Sequence, residues 1–325
     1  LPTLEKFYAE DYHILTASEE EDQLYEVRGS EKIFRTEHQI ATLLEKVNLP
    51  VNARVLDYGC GKASTLKGLC GRRDDVVPFV FDVGEQYRPF WNDFVPAANQ
   101  AISEVPVRWA GQMDAVLSFF ALEHVTDPRA FVCAVHGLLK EGGAFYFLVP
   151  NIFANTADLV VADHVNHFSA QSLQRLLVDA GFIVRQINGE AHNSAWVVVA
   201  EKGEGVGVET ETKSISQSVQ EMAAYWNEFG DRVSAFEKAG SGAAAIYGSG
   251  FYGTFIHASL EQPEAVVCFL DQNPHRQQQV LLGKPIVSPE ALPETVQRLY
   301  VGLNPRVAQT ELAAEPLPEL EMFLP

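Results

Sequence analysis

The feature that most constrains the fold is a glycine loop between an apolar run and a helical pattern. The loop is Asp57-Tyr58-Gly59-Cys60-Gly61; it overlaps the apolar run 54–58 and precedes a helix expected at 64–70. Glycine at two positions lets the backbone turn sharply and lets a ligand lie against main-chain N–H groups, because no Cβ stands in the way. The pattern predicts a strand, a ligand-binding loop and a helix; an ordinary tight turn is the alternative.

Apolar runs and helical patterns continue to alternate after this loop. Such alternation is typical of a parallel sheet with helices on both faces. Further strands are expected at 76–81, 115–119 and 144–149, and helices at 129–139 and 169–180. The last two apolar runs, 182–187 and 194–200, are close enough to pair as an antiparallel hairpin. We therefore expect an α/β fold with a Rossmann-like parallel sheet closed by an antiparallel hairpin.

The chain is long enough for two domains, because 325 residues exceed what one hydrophobic core usually organises. Residues 203–213 are rich in glycine and charge and mark the best boundary. We expect a helical N-terminal cap at 1–50, a first domain at 51–202, a linker and helix at 203–238, and a smaller Rossmann-like domain at 239–325. The apolar side of the cap's helical pattern comprises Ile33, Phe34, Ile40, Leu43, Leu44 and Val47.

The composition restricts the classes of partner. A formal net charge of −19 disfavours nucleic acid and anionic membranes, because both are bound through Lys and Arg. The four cysteines form no C-x-x-C pair, so neither a metal site nor a disulfide framework is indicated. No apolar run approaches the roughly 20 residues of a membrane helix, and the first residues lack a signal-peptide pattern. These observations predict a cytoplasmic protein with a small-molecule substrate and no metal.

The glycine loop resembles motif I of class I S-adenosylmethionine (SAM)-dependent methyltransferases, in which the acidic residue anchors the amino end of the methionine moiety. The resemblance extends to Leu122-Glu123-His124-Val125 after the strand at 115–119 and to the glycine turn at 138–144 before the strand at 144–149. Ala63 stands where a third glycine is usual, and Glu141 where proline is usual. The resemblance implies a SAM-dependent methyltransferase with SAM as its cofactor.

The same resemblance implies where the cofactor is held. A carboxylate at Asp82, the end of the second strand, would accept hydrogen bonds from the ribose hydroxyls, or it would cap the following helix. Two phenylalanines at the end of the strand at 115–119 would line the pocket, although phenylalanines on a strand more often belong to the hydrophobic core. The expected cofactor-binding residues are Asp57, Gly59, Cys60, Gly61, Asp82, Phe119 and Phe120.

Two histidine-bearing segments supply the candidate chemistry. His124 follows the strand at 115–119, and His164 lies in the loop after the strand at 144–149. Methyl transfer usually needs a base, and histidine serves well near neutral pH. Both segments fall at the carboxyl edge of a parallel sheet, where ligands bind, so both could face one substrate. The alternatives are histidines that cap the helix near Ser169 or, for His124, a residue kept for the fold.

The run Asp163-His164 followed by Phe168-Ser169 resembles the Glu-His … Phe-Ser loop of sugar C-methyltransferases that act on nucleotide-linked keto-sugars. That resemblance implies that His164 is the base, with Asp163 as its neighbouring acid, and that His124 is a second active-site histidine. The chain departs from the family at Val161, where tyrosine is usual, at Asp163, where glutamate is usual, and in lacking a cysteine-rich zinc module.

Further substrate contacts are expected outside this loop. Residues 7–12 resemble the tyrosine-bearing cap of the sugar C-methyltransferases, which makes Tyr12 a candidate, and His167 lies near the proposed base. In the C-terminal domain, Gly248-Ser249-Gly250-Phe251-Tyr252-Gly253 is a literal G-x-G-x-x-G, with Asp271 ending the next strand. There the family retains the nucleotide fold without a redox cofactor. Gly250 and Asn304 are the candidates for substrate contact, and a purely structural loop or NAD binding are the alternatives.

Three functions are compatible with these motifs. The first is C-methylation of a nucleotide-linked or modified sugar with a histidine base. The second is O-methylation of a glycan hydroxyl or a secondary metabolite. The third is a SAM- or nucleotide-sugar-binding protein without catalysis, which tight cofactor binding with no turnover would support.

Overall fold

A computed structural model describes residues 22–28, 31–205, 215–314 and 317–325. The chain divides into two compact units. The first consists of Leu1–Ala154 and Val160–Lys213, and the second of Asn155–Leu159 and Ser214–Pro325. The second unit therefore includes a short segment from the middle of the chain.

The described part of the first unit contains two sheets and four α-helices. Its elements in chain order are β1 (Leu24–Arg28), β2 (Glu31–Phe34), α1 (Arg35–Lys46), β3 (Arg54–Tyr58), α2 (Ser64–Arg72), β4 (Val77–Asp82), β5 (Gln100–Ile102), β6 (Met113–Phe119), α3 (Pro128–Leu138), β7 (Leu139–Pro150), α4 (Ala170–Asp179), β8 (Phe182–Asn188) and β9 (Ala195–Lys202). All strands and helices expected between 54 and 202 are present, with boundaries shifted by a few residues.

The large sheet has seven strands in the order β5-β4-β3-β6-β7-β9-β8. Strands β5, β4, β3, β6 and β7 pair in parallel, whereas β9 is antiparallel to both β7 and β8. The predicted α/β fold, a parallel sheet closed by an antiparallel hairpin, is thus confirmed. The strand order reverses between β3 and β6, and ligands bind at such a switch point in open α/β sheets.

Alternate residues of β3 enter two separate cores. Leu56 belongs to a core that includes Phe145 and Phe147, and Val55 to a core that includes Leu148. Successive strand residues point to opposite faces, so the sheet is covered on both sides. This explains why its strands are almost continuous apolar runs rather than alternating patterns.

The N-terminal segment is not wholly helical as predicted. Strands β1 and β2 form an antiparallel hairpin, and α1 begins only at Arg35, so Ile33 and Phe34 lie in a strand. β-Branched and aromatic residues favour strands, and Ile33 and Phe34 pair with Glu26 and Leu24 of β1. The rest of the pattern is helical: Ile40 and Leu43 are buried on one side of α1. Residues 1–21, including the predicted cap residue Tyr12, lie outside the described residues.

The second unit has its own sheet of six strands. Its elements are α5 (Ile215–Ala239), β10 (Ala243–Tyr247), α6 (Phe251–Ser259), β11 (Val266–Leu270), β12 (Val280–Leu281), β13 (Lys284–Val287), β14 (Val296–Val301), α7 (Pro305–Ala314) and β15 (Glu321–Phe323). The order is β12-β13-β11-β10-β14-β15, and only the β12–β13 pair is antiparallel. A smaller Rossmann-like C-terminal fold is therefore confirmed. None of the helices described has the length and apolar character needed to cross a membrane.

Glycines of the second unit allow β10, β14 and α6 to pack closely. A Cβ on Gly253 would clash with the backbone oxygen of Gly248, and a Cβ on Gly302 would lie 2.5 Å from Gly253 Cα. Gly248 also has a φ of +100°, which disfavours any side chain. Three glycines here thus satisfy backbone packing requirements.

Candidate active site

The loop after β3 is held in place by Asp82 at the end of β4. The carboxylate of Asp82 accepts hydrogen bonds from the backbone N–H groups of Gly61 at 2.7 Å and Gly84 at 2.9 Å. A carboxylate has about four lone-pair sites, so acceptor capacity remains for ribose hydroxyls. Asp82 does not cap the following helical segment, because the N-cap of that segment is Gly84 and has no side-chain capping bond; the ribose role stays a prediction.

Asp57 is the second carboxylate beneath this loop. Its side chain is only 2% exposed, and its Oδ1 atom has no hydrogen-bond partner among the residues described. Burial, and secondarily the charge of Asp82, raise the pKa of Asp57 to about 8. A buried carboxyl without a partner is costly, and an ammonium group placed beside it would lower both the cost and the pKa. Asp57 therefore fits the amino end of SAM.

The loop itself provides a narrow cradle. Gly59 and Gly61 both have positive φ angles, of 75° and 50°, and a Cβ on Gly59 would lie 2.7 Å from the Cβ of Ala121. Cys60 is half-buried between them, and desolvation raises the pKa of its thiol. A neutral thiol suits contact with a ligand through the backbone rather than nucleophilic chemistry.

Trp91 supports the loop, and the sequence motifs did not identify this residue. Its indole Nε1–H donates to the backbone oxygen of Gly61 at 2.7 Å, and its side chain is fully buried. Tyr87, in the same short helical segment, would contact a Cβ placed on Gly61. The aromatic residues after β4 were a usable signal, because a buried indole needs an acceptor.

Phe119 and Phe120 stand at the carboxyl end of β6, as expected for pocket residues. Both are half-buried and pack against the core on the same face as Cys60. Phe120 adopts a φ of +55°, which is unusual for an aromatic residue and is favoured only where the surroundings impose it. Strain of this kind is common at ligand sites, which supports a functional position for Phe120.

The structure brings the predicted histidines together. The rings of His124 and His164 lie 4.8 Å apart between centroids in an edge-to-face arrangement. His124 Nδ1 lies 3.0 Å from the backbone oxygen of Asp163 and 3.5 Å from its carboxylate. A carbonyl oxygen can only accept, so Nδ1 carries the hydrogen, and Nε2 presents its lone pair on the other side of the ring. Asp163 thus orients His124, in addition to its expected place beside His164.

Asn166 connects the histidine loop to the segment after β6, and no sequence motif identifies it. Its backbone N–H donates to Glu123 O at 3.1 Å, and its side-chain amide donates to Val125 O at 2.6 Å. These bonds explain how a loop of irregular backbone keeps His164 next to His124. His167, one residue further on, is exposed.

Glu123, His124 and His164 are also the described residues whose ligand atoms lie close enough to hold a metal ion, within 4.8 Å of one another. Glu123 is buried, and its Oε1 lies 3.8 Å from His124 Nε2. Ligands about 2.0–2.1 Å from a tetrahedral metal are only about 3.4 Å apart. The group would have to contract to bind an ion.

In the second unit, the loop at Gly250 is closed by its own carboxylate. Asp271 accepts from the backbone N–H and the hydroxyl of Ser249, and from Asn273 N. Asn304 accepts from Arg306 N at the start of α7, which is a helix-capping contact. These contacts serve the fold, and the substrate role of Gly250 and Asn304 stays a prediction.

The fold and this site define a class. The first unit has the sheet order, the SAM-fitting loop and the carboxyl-edge histidines of a methyltransferase, and residues 31–187 match the family described as a methyltransferase domain. This part of the chain is a class I SAM-dependent methyltransferase domain, and SAM is its methyl donor.

Two proteins named as ubiquinone biosynthesis O-methyltransferases match part of the chain. The ubiquinone biosynthesis O-methyltransferase of Xanthomonas axonopodis pv. citri (strain 306) is 28% identical over 153 residues, which is 46% of this chain. The enzyme of the same name from Acinetobacter baumannii (strain AYE) is 30% identical over 133 residues, or 36% of this chain. The match spans 62% of the Xanthomonas protein and 54% of the Acinetobacter protein.

Solved structures with similarity to the chain include a SAM-dependent methyltransferase from Mesorhizobium loti. It has a TM-score of 0.41 and 15% identity and covers 51% of this chain and 98% of its own. The YcgJ protein from Bacillus subtilis has a TM-score of 0.41 and 16% identity, with 52% and 99% covered.

Proposed function

We propose that this protein transfers a methyl group from SAM to a small-molecule acceptor, and that the acceptor is a nucleotide-linked or otherwise modified sugar methylated at carbon. The observation that carries the proposal is the pairing of His124 and His164 at the carboxyl edge of the sheet, beyond the SAM-binding loop. The sugar acceptor rests on the resemblance of the Asp163-His164 … Phe168-Ser169 loop.

The chain's own residues have distinct tasks in this proposal. SAM supplies an electrophilic methyl group when it is bound. Asp57 holds the amino end of SAM, and Asp82 holds the loop and accepts from the ribose. His164 accepts the proton that the acceptor loses at an imidazole nitrogen. His124 is fixed by Asp163 through Nδ1 and, when Nε2 also carries a hydrogen, donates from Nε2 to the oxyanion that develops on the acceptor, with the Asp163 carboxylate balancing the positive charge of the ring.

The second candidate is O-methylation of a hydroxyl by the same base. It is favoured by the relatives, whose names are those of O-methyltransferases. In this case His164 would accept the hydroxyl proton directly, and no carbon acid would be needed. The two reactions need the same residues and differ only in the atom attacked.

Incubation with SAM carrying a carbon-13 methyl group separates these candidates. The acceptors are a panel of nucleotide keto-sugars and hydroxylated glycans or metabolites, and the product is examined by carbon-13 NMR. A methyl group bound to carbon supports the first function, and one bound to oxygen supports the second. Tight SAM binding without turnover on any acceptor would contradict both and favour a binding protein.

A further inference from the structure

A group of aromatic and basic side chains lies at the same edge of the sheet but apart from the histidine pair. We call Tyr25, Arg35, His38, Phe120 and His192 the His192 cluster. Tyr25 comes from β1, Arg35 and His38 from α1, Phe120 from the end of β6, and His192 from the turn between β8 and β9. Four separate segments of the first unit therefore meet here.

His192 is the buried member of the cluster, at 4% exposure. Its Nδ1 accepts a hydrogen bond from the backbone N–H of Ser194 at 3.3 Å, so the hydrogen of the neutral ring sits on Nε2. That Nε2–H has no hydrogen-bond partner among the residues described. A buried donor left without an acceptor costs about 1–3 kcal/mol, so the fold holds a donor in readiness for an acceptor.

The cluster is preorganised by contacts on both sides of the turn. Tyr25 OH accepts from Asn193 N at 3.2 Å, and His38 Nε2 donates to Ala191 O at 2.8 Å. The rings of Tyr25 and His38 stack with centroids 3.8 Å apart. The turn therefore cannot shift to give His192 a partner without breaking these contacts.

The electrostatic environment of the cluster is positive. The Arg35 guanidinium lies 5.3 Å from the centre of the Phe120 ring, whose centroid is 5.7 Å from that of His192. Desolvation, followed by the charges of His38 and Arg35, lowers the pKa of His192 to about 3. Glu37, next to His38 in sequence, pairs with Arg72, and Asp22 accepts from the backbone of Thr36 at the start of α1. In a chain of net charge −19, this local positive field is distinctive.

The position of the cluster relates it to the methyl donor. Phe120, with its positive φ, immediately precedes Ala121, and Ala121 is the residue that closes over Gly59 of the cofactor loop. Phe120 and Ala191 pack against the same core as Cys60 of the cofactor loop, so the cluster and that residue lie on one face of the large sheet.

We infer that the His192 cluster is a subsite for an anionic oxygen group, a carboxylate or a phosphate. Arg35 supplies the charge, the His192 Nε2–H supplies a directed hydrogen bond, and Tyr25 and Phe120 exclude water around it. The inference rests on the proposed function for its meaning, because the anion is either the acidic group of the acceptor or the amino-acid carboxylate of SAM. Binding itself does not require any methyl transfer.

Calorimetry with the whole protein tests the subsite, using inorganic phosphate and benzoate as probes. Each probe is titrated with and without saturating S-adenosylhomocysteine. Saturable binding is expected, and Arg35→Gln and His192→Phe should weaken it roughly ten- to a hundred-fold, as expected for a charged hydrogen bond. His192→Gln retains a side-chain N–H donor and should recover part of the loss. Arg175→Gln removes a charge from an exposed ion pair on α4 and should change nothing.

The outcomes separate the sources of the anion. Probe binding that persists with S-adenosylhomocysteine assigns the subsite to the acceptor, and preference for phosphate or benzoate gives its chemical class. Probe binding abolished by S-adenosylhomocysteine, together with weaker S-adenosylhomocysteine binding by Arg35→Gln, assigns it to the cofactor carboxylate. Absence of saturable binding, or equal affinity in wild type and both variants, overturns the inference. Intact anion binding without turnover on any acceptor would overturn the proposed function alone.

Discussion

Asp57 and Asp82 lie on adjacent strands of the large sheet, and burial of Asp57 together with the charge of Asp82 raises the pKa of Asp57 to about 8. The pair thus carries one proton more at pH 7 than two isolated carboxyls would. A cation that binds beside Asp57 favours the charged carboxylate and should therefore displace this proton.

We expect SAM binding to release a proton. At pH 7 the free Asp57 is about 0.9 protonated, and the ammonium of the methionine moiety favours its charged form. Calorimetry of S-adenosylhomocysteine binding in buffers of different ionisation enthalpy measures the release. Asp57→Asn should abolish it and weaken binding by at least about ten-fold. Unchanged proton release in Asp57→Asn would show that another group is responsible.

Loss of the proposed base should reduce turnover and leave cofactor binding intact. His164→Ala is expected to lower kcat by about 10²–10⁴-fold, the usual contribution of a general base. Val165→Ala, which shortens an exposed side chain of the same loop, is the matched control and should retain most activity. Wild-type turnover by His164→Ala, on an acceptor that the native protein methylates, would remove the base role.

Chelation should leave the activity unchanged. The ligand atoms of Glu123, His124 and His164 are spread over up to 4.8 Å, wider than a tetrahedral site requires, so we expect no bound ion to be needed. Initial rates with and without EDTA, and metal analysis of the purified protein, check this. Activity lost with EDTA and restored by zinc would reassign the two histidines as metal ligands.

The buried His192 should make stability depend on pH. Its pKa is lowered to about 3 by burial, so between pH 6.5 and 3 the unfolded chain binds the proton that the folded chain excludes. Stability from this group is complete above the unfolded pKa and falls as the pH decreases. From pH 7 to 5 the wild type should lose about 2 kcal/mol that His192→Phe does not lose. Urea unfolding at both pH values measures the difference, and equal pH dependence in both proteins would contradict it.

Two glycines of the second loop should respond differently to alanine. Gly253→Ala introduces a methyl group against the backbone of Gly248 and is expected to destabilise the second unit by roughly 2–3 kcal/mol or more. Gly250→Ala has open space and should be nearly neutral. Thermal unfolding compares them. A large loss at Gly250 would reveal a contact that the fold does not explain.

The fold was readable because its strands are long apolar runs separated by helical patterns. The prediction was wrong at Ile33 and Phe34, where helical spacing and strand propensity compete. Their spacing fits a helix, but their side chains favour a strand. In the C-terminal unit, the strand expected to end at Asp271 is present as β11, which ends at Leu270. Strands β12, β13 and β15 are only two to four residues long and have no periodicity to detect.

The site was readable where residues are close in sequence. The loop at Asp57 and the histidine segments were identified from local spacing, whereas Trp91, Asn166 and the His192 cluster depend on contacts over long separations. His192 lies in the turn between β8 and β9, yet it is buried. Burial of a loop residue is a property of the packed fold, so no local pattern reports it.

The close approach of Gly253 to Gly248 accounts for two of the glycines in the dinucleotide-binding motif of the second loop. Because the helix begins close to the strand that it follows, backbone crowding requires glycine at these two positions whether or not a phosphate is bound. A match of this unit to the G-x-G-x-x-G pattern is therefore explained in part by packing and does not by itself indicate a bound dinucleotide.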